Sequence, residues 1–269
     1  MTEAIKVEAL GYAYGDQSVL TDLTFAVQLG GFFIIIGPNG SGKTTLMRAI
    51  SGIIRPDTGG VRVMGRSIRT YGRKRLARTI ALVPQITTVY FPFTVMETVL
   101  MGRSPHLGVL GFEREEDFET AEKAMTFTGI NDLAGRKLDQ LSGGELQRVF
   151  IARAICQTPE IILLDEPTAS LDLRHQVRIM DLMEQLKEER GVTVVMVSHD
   201  VNLAAMYGDC LLLLKEGRAV TLGTPDQVLT FEQLEEAYGC TLVVDRSPLG
   251  DYPRVSPVPR KVFEKSRLD

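Results

Sequence analysis

The run Gly37-Pro38-Asn39-Gly40-Ser41-Gly42-Lys43-Thr44-Thr45 has the spacing G-x-x-x-x-G-K-[ST], that of a phosphate-binding loop. Its glycines let the backbone approach a ligand closely, and their N–H groups, with a helix N-terminus behind them, form a nest for anionic oxygens. Lys43 would reach the β- and γ-phosphates of a nucleotide, and the Thr44 hydroxyl would bind Mg²⁺. A second candidate is Ile161-Ile162-Leu163-Leu164-Asp165-Glu166, an apolar run ending in two carboxylates. Asp165 beside the loop would hold Mg²⁺ through water, and Glu166 would polarise an attacking water. A third is Leu141-Ser142-Gly143-Gly144-Glu145, at the start of a helical run. Two glycines there weaken a helix but expose backbone donors to an anion, and nothing within that segment supplies one.

These groups need rigid elements to hold them. Phe32–Ile36 is short, apolar and β-prone, and reads as a buried strand entering the phosphate loop. A helix is expected from Thr45 onward, with Gly52 placed to end it. Residues 32–36, 79–83, 161–165 and 192–197 read as strands separated by helices, which predicts a largely parallel nucleotide-binding sheet. Residues 3–28 alternate in two runs around Gly15-Asp16-Gln17, an antiparallel hairpin or meander. Residues 87–158 carry almost no strand signal; Thr94–Gly102, Glu115–Gly129 and Gly144–Gln157 look helical. A further hairpin is expected at 211–222 and a short helix at Thr224-Pro225-Asp226. Residues 241–269, with Pro248, Pro253, Pro257 and Pro259, read as an extended tail.

Together with Ser170-Leu171-Asp172 and His199, the three candidate motifs occur in the order and spacing of the ATP-binding-cassette ATPases, and the chain resembles that family over residues 3–240. The resemblance implies an α/β cassette with a parallel nucleotide-binding sheet, an antiparallel β subdomain and a helical subdomain at about 87–158. It implies ATP hydrolysis with Mg²⁺. In that family two cassettes face each other head to tail, so Ser142, Gly143 and Gly144 would meet the γ-phosphate of ATP on a second copy. Asp172 matches the loop aspartate that crosses the interface. Gln85, in Leu82-Val83-Pro84-Gln85, matches the glutamine that contacts Mg²⁺ or the attacking water. His199 matches the switch histidine that touches the γ-phosphate. Tyr14 matches the aromatic that stacks on adenine; Tyr12, in the same turn-prone stretch, is the alternative and better fits a core tyrosine. His106 and His175 read as ordinary surface histidines.

Composition narrows the partners. The chain has 269 residues, a net charge of −4 and a pI near 5.6, which disfavours nonspecific nucleic-acid binding. Cys156, Cys210 and Cys240 show neither metal nor disulfide spacing, so a reducing cytoplasm is expected. The start, Met1-Thr2-Glu3-Ala4, lacks a signal-peptide pattern, and no run of 18 apolar residues exists. A transport role therefore needs membrane permease subunits, two by expectation, supplied by another chain. A substrate-binding protein outside the membrane would act indirectly, and this chain would sit on the cytoplasmic face.

Two further features bear on the branch. Arg66, Arg69, Arg73, Lys74, Arg75 and Arg78 form an uninterrupted basic cluster, which more often is a solvated face than a lipid or acidic-loop contact. Gly102-Arg103-Ser104-Pro105-His106-Leu107-Gly108 resembles the cassettes of iron–siderophore, haem and cobalamin importers; cassettes for molybdate or other metal chelates look similar. An exporter subunit and a soluble cytosolic cassette ATPase are the other readings. One cassette without a charged linker, and no sustained heptads, speak against ribosome-associated and DNA-repair cassettes.

Overall fold

The computed structural model describes residues 2–85, 92–108 and 111–259. Strands β1 (Glu3–Tyr14) and β2 (Gln17–Gln28) pair antiparallel around the Gly15 turn. After β3 (Phe32–Ile36) and α1 (Lys43–Ile50), the chain returns to β1 through β4 (Thr58–Val63) and β5 (Arg66–Ser67), in the order β2-β1-β4-β5. Helix α2 (Arg73–Thr79) then leads into β6 (Ile80–Val83).

A second sheet holds the chemistry. It comprises β3, β6, β7 (Ile161–Asp165), β8 (Thr193–Val197), β9 (Cys210–Lys215) and β10 (Arg218–Gly223), in the order β10-β9-β3-β8-β7-β6. Every pairing is parallel except β10 with β9. The continuous apolar runs follow from burial on both faces. Phe32, Ile34 and Ile36 join one core cluster while Phe33 and Ile35 join the other, and β7 and β8 alternate likewise. The observed parallel sheet agrees with expectation to within a residue at each strand start. Sequence spacing did not place β9 in it beside β3.

One core cluster packs the helices between β6 and β7: α3 (Val95–Leu100), α4 (Glu115–Thr128) and α5 (Gly143–Cys156). Capping boxes set two of their starts: Thr94 with Glu97 for α3, and Ser142 with Glu145 for α5. The Gly102–Gly108 segment ties these helices together. Arg103 Nε donates to the buried Asp117 carboxylate at 2.8 Å, and Arg103 Nη1 to Cys156 O at 3.0 Å. His106 is no free surface residue: its Nε2 lies 2.9 Å from Gln157 O, and burial pushes its pKa down. Two members of the basic cluster are engaged here as well, Lys74 donating to Leu107 O and Arg78 to Pro105 O at 3.0 Å each.

Helix α6 (Leu173–Arg190) precedes β8, and α7 (Val201–Tyr207) follows it; the short α8 (Pro225–Val228) and α9 (Phe231–Tyr238) come after β10. The expected extended tail is corrected over much of its length. β11 (Leu242–Arg246) and β12 (Pro253–Pro257) form an antiparallel hairpin. Asn202 on α7 fixes it, donating to Val255 O at 3.1 Å and accepting from Val255 N at 2.8 Å, with Val255 and Leu242 buried. Pro253 and Pro257 sit at the ends of this two-stranded hairpin, where a missing donor costs little. Residues 260–269 of the expected tail lie outside the described residues. Among the described residues, no helix is long and apolar enough to cross a membrane.

Candidate active site

The phosphate loop leaves β3 at Gly37, which only glycine can occupy. Its φ is +147°, and a Cβ there would stand 2.1 Å from Leu214 O. Gly42, at φ +98°, takes the N-cap position of α1 and offers no side-chain acceptor, so the first-turn N–H groups point into the loop uncapped. The Lys43 ammonium folds onto the loop, donating to Gly37 O at 2.9 Å and Pro38 O at 2.8 Å. Its burial pulls its pKa down, against the pull of Glu166 and Asp165. Asn39, Gly40, Lys43, Thr44, Thr45 and Glu166 help to line a cavity of about 220 Å³.

The residues present fit a nucleotide phosphate and a divalent cation. Ser41 Oγ is buried without a hydrogen-bond partner among the described residues, in the middle of the loop. Thr44 Oγ1 donates to Asp165 Oδ1 at 3.3 Å. Asp165 is only 6% exposed, and that burial raises its pKa, an environment that a cation would relieve.

Glu166, directly after β7, lies in the left-handed region at φ +53°, a strained backbone for a glutamate. Gln85 Nε2 donates to Glu166 Oε2 at 2.7 Å, and His199 Nε2 lies 2.6 Å from Glu166 Oε1. Residues from the ends of β6, β7 and β8 therefore meet at one carboxylate, because parallel strands deliver their C-terminal ends to the same edge. His199 is held between β8 and α7, whose N-cap Asp200 accepts from Asn202 N at 2.8 Å and Leu203 N at 3.0 Å. The sequence suggested Glu166 polarising a water; here both its oxygens are already taken. Tyr14 is 45% exposed, with its hydroxyl 3.5 Å from Arg48 Nη1, while Tyr12 meets it edge-on and packs on the core. That leaves Tyr14, of the two, free to meet a planar ring.

Ser142, Gly143, Gly144 and Asp172 do not line the phosphate-loop cavity. Ser142 N and Oγ both donate to Glu145 Oε2 at 2.8 Å, holding that carboxyl below its ordinary range. The His175 backbone N–H and ring Nδ1 reach Asp172 Oδ1 at 2.9 and 2.8 Å, and lower the Asp172 pKa in the same way. The sequence reading missed His175 as a partner of this region. Its signal was the three-residue spacing from an N-cap aspartate. Leu173 and Val177, one helical turn apart beside Asp172, are exposed apolar residues on α6.

This fold and site define a phosphate-loop nucleotide hydrolase of cassette type. The model of the ABC transporter family matches residues 20–169, and the chain belongs to that family and is an ATP-binding ATPase subunit. Ferric enterobactin transport ATP-binding protein FepC of Escherichia coli (strain K12) is 40% identical over 263 residues, 97% of each chain. Hemin import ATP-binding protein HmuV of Gloeobacter violaceus is also 40% identical, over 94% of each. Among solved structures, an inward-facing metal-chelate type ABC transporter superposes with a TM-score of 0.86 at 30% identity, over 97% of this chain and 100% of that one. A dimeric cassette bound to ADP and Pi gives 0.72 at 31% identity, over 82% and 98%.

Proposed function

We propose that this chain energises an importer of metal chelates of the iron–siderophore, haem or cobalamin class. It works as a pair of identical cassettes docked on the cytoplasmic side of two permease subunits, which an external substrate-binding protein serves. The observation that carries this reading is near-full-length similarity to import ATPases of that class, supported by the position of Ser142, Gly143, Gly144 and Asp172 outside the phosphate-loop cavity.

The chemistry follows from the chain's own groups. ATP in the phosphate loop would draw Lys43 off the Gly37 and Pro38 carbonyls and give Ser41 Oγ and the α1 N–H groups their missing acceptors. Thr44 and Asp165, with Gln85, would hold Mg²⁺, which supplies charge neutralisation at the phosphates. Tyr14 would stack on adenine. Glu166, released from Gln85, would orient the attacking water, with His199 turned toward the γ-phosphate. Ser142, Gly143 and Gly144 of the second copy would close over that phosphate, and Asp172 would cross the interface. ATP thus joins the two copies, and its hydrolysis removes the link.

The test is co-purification. Tagged Glu166→Gln protein, given ATP and Mg²⁺ and extracted in mild detergent, is expected to bring down a polytopic membrane protein. Recovery of soluble partners alone, with the protein abundant in the cytosol, would overturn the importer reading.

A further inference from the structure

The phosphate-facing turn and the interface aspartate are joined by one side chain. His175, in the first turn of α6, holds Asp172 Oδ1 with its ring Nδ1 at 2.8 Å. The same ring packs against Gly144 in the first turn of α5. A Cβ on Gly144 would stand 2.4 Å from His175 Cδ2, 2.8 Å from Cγ and 2.9 Å from Nε2. Gly144 is buried, whereas Ser142 and Gly143 are exposed, because the imidazole covers it. Leu171 makes a looser contact beside it, 3.8 Å from where a Cβ of Gly143 would lie. Gly144 therefore has a packing reason to be glycine in addition to any anion it meets. The two segments lie 28 positions apart, yet among the described residues no backbone hydrogen bond links the Ser142–Gly144 turn to the Asp172 loop.

From this geometry we infer that His175 is a positioning residue that makes the Ser142–Gly144 turn and Asp172 move as one body. The inference rests on the two-copy reading given above. A phosphate drawn against the N–H groups of this turn pushes on the imidazole through Gly144. The imidazole carries Asp172 with it, because the carboxylate is bonded to the same ring. Arrival of ATP at one of the two composite sites is thereby passed to the aspartate that crosses toward the other. His175 touches neither nucleotide nor water in this scheme. Its effect is on closure and on communication between the two sites, and not on ATP binding by a single chain.

The experiment measures ATP-driven dimerisation in the Glu166→Gln background, by size-exclusion chromatography with light scattering across an ATP·Mg²⁺ series. ATP affinity of the single chain is measured in parallel with a fluorescent analogue. His175→Ala is expected to raise the ATP concentration for half-dimerisation about tenfold, the worth of one hydrogen bond to a charged acceptor, with single-chain affinity unchanged. His175→Asn, whose amide can still donate to Asp172 from the Nδ1 position, is expected to stay within about twofold of His175 on the same reasoning. With Glu166 intact, His175→Ala should lower kcat more than it raises KM and bring the Hill coefficient for ATP toward one. Unchanged dimerisation and Hill coefficient in His175→Ala would overturn the inference, as would an equal loss in both His175 variants or a matching loss of single-chain affinity. Failure of the parent Glu166→Gln protein to dimerise would instead overturn the two-copy reading itself.

Discussion

The phosphate loop and the Ser142–Gly144 turn are both cradles at helix N-termini, and they are built in opposite ways. The first buries Ser41 and Lys43 and leaves its cap unsatisfied. Gly42 caps α1 with no side chain, Ser41 Oγ has no partner among the described residues, and Lys43 rests on backbone carbonyls. The second is exposed at Ser142 and Gly143, and its N-cap is satisfied. Ser142 and Glu145 close a capping box that pairs the N-cap N–H and hydroxyl without outside help. A cradle with orphan donors gains a full set of hydrogen bonds when an anion arrives, so it binds on its own. A cradle already capped gains less, so it engages only when something else delivers the anion. That asymmetry makes closure of two copies conditional on nucleotide, without requiring either surface to be sticky beforehand.

The comparison breaks most severely at Glu166, the carboxylate at the edge of the first cradle. Glu166→Gln should hydrolyse ATP more slowly by about 10²–10⁴-fold, the usual worth of a general base. It should still bind nucleotide, and it should accumulate as a closed dimer. Phosphate release and chromatography with ATP present check both, and near-normal turnover would remove Glu166 from its role. Lys43→Ala tests the claim that the first cradle binds alone. Losing the loop's buried ammonium should weaken single-chain ATP affinity by about ten- to a hundredfold, in line with a charge-assisted hydrogen bond. Equilibrium binding reads this directly, and unchanged affinity would mean that the loop's backbone donors suffice.

Glu145 sharpens the comparison from the other side. Its carboxylate sits on Ser142, where an incoming phosphate would arrive, and like charges oppose each other there. Glu145→Gln keeps the capping box while removing the charge. In the Glu166→Gln background it should lower the ATP needed for half-dimerisation about threefold, the scale of an exposed charge interaction. Single-chain ATP affinity should not move. A higher ATP requirement would show that the carboxylate helps closure.

What the sequence made legible follows the same division. Gly37–Thr45, Asp165 and Glu166 could be read because each motif is contiguous and lies between a strand and a helix of clear periodicity. The parallel sheet followed from four apolar runs whose lengths excluded long helices. The meeting of Gln85, Glu166 and His199 at one carboxylate could not be read, since it depends on strand order and not on spacing. The contact of His175 with Gly144 was hidden for the same reason, and a histidine on a polar helix face looked like surface. The β11–β12 hairpin was missed because prolines at its ends resemble those of an unstructured tail. Its anchors are Asn202 on α7, the buried Leu242 and Val255, and an ion pair from Arg246 to Asp226 on α8.

A further expected effect is on stability, and it tests whether the first cradle is held in an unfavourable state for the sake of its ligand. Burial is the main cause raising the Asp165 pKa, and Glu166 adds to it, while the Thr44 hydroxyl, Arg48 and Lys43 oppose the rise. A carboxyl whose pKa is higher folded than unfolded favours the protonated form. Its stabilising share is therefore full below the unfolded value and is lost as pH rises through the folded one. A charge on Asp165 in the nucleotide-free chain thus comes at a cost. Asp165→Asn removes the charge and keeps an oxygen for the Thr44 hydroxyl. It should raise the Tm of the nucleotide-free protein by about 2–4 °C, the response of a chain near this size to about 1 kcal/mol. ATPase activity should fall with the loss of the cation ligand. The Tm gap should narrow as pH is lowered toward the raised Asp165 value, because the native carboxyl then becomes neutral too. Calorimetry across pH decides it. A less stable Asp165→Asn protein, or a gap that widens on acidification, would mean that the carboxylate is already well compensated by Lys43 and Thr44 without a cation.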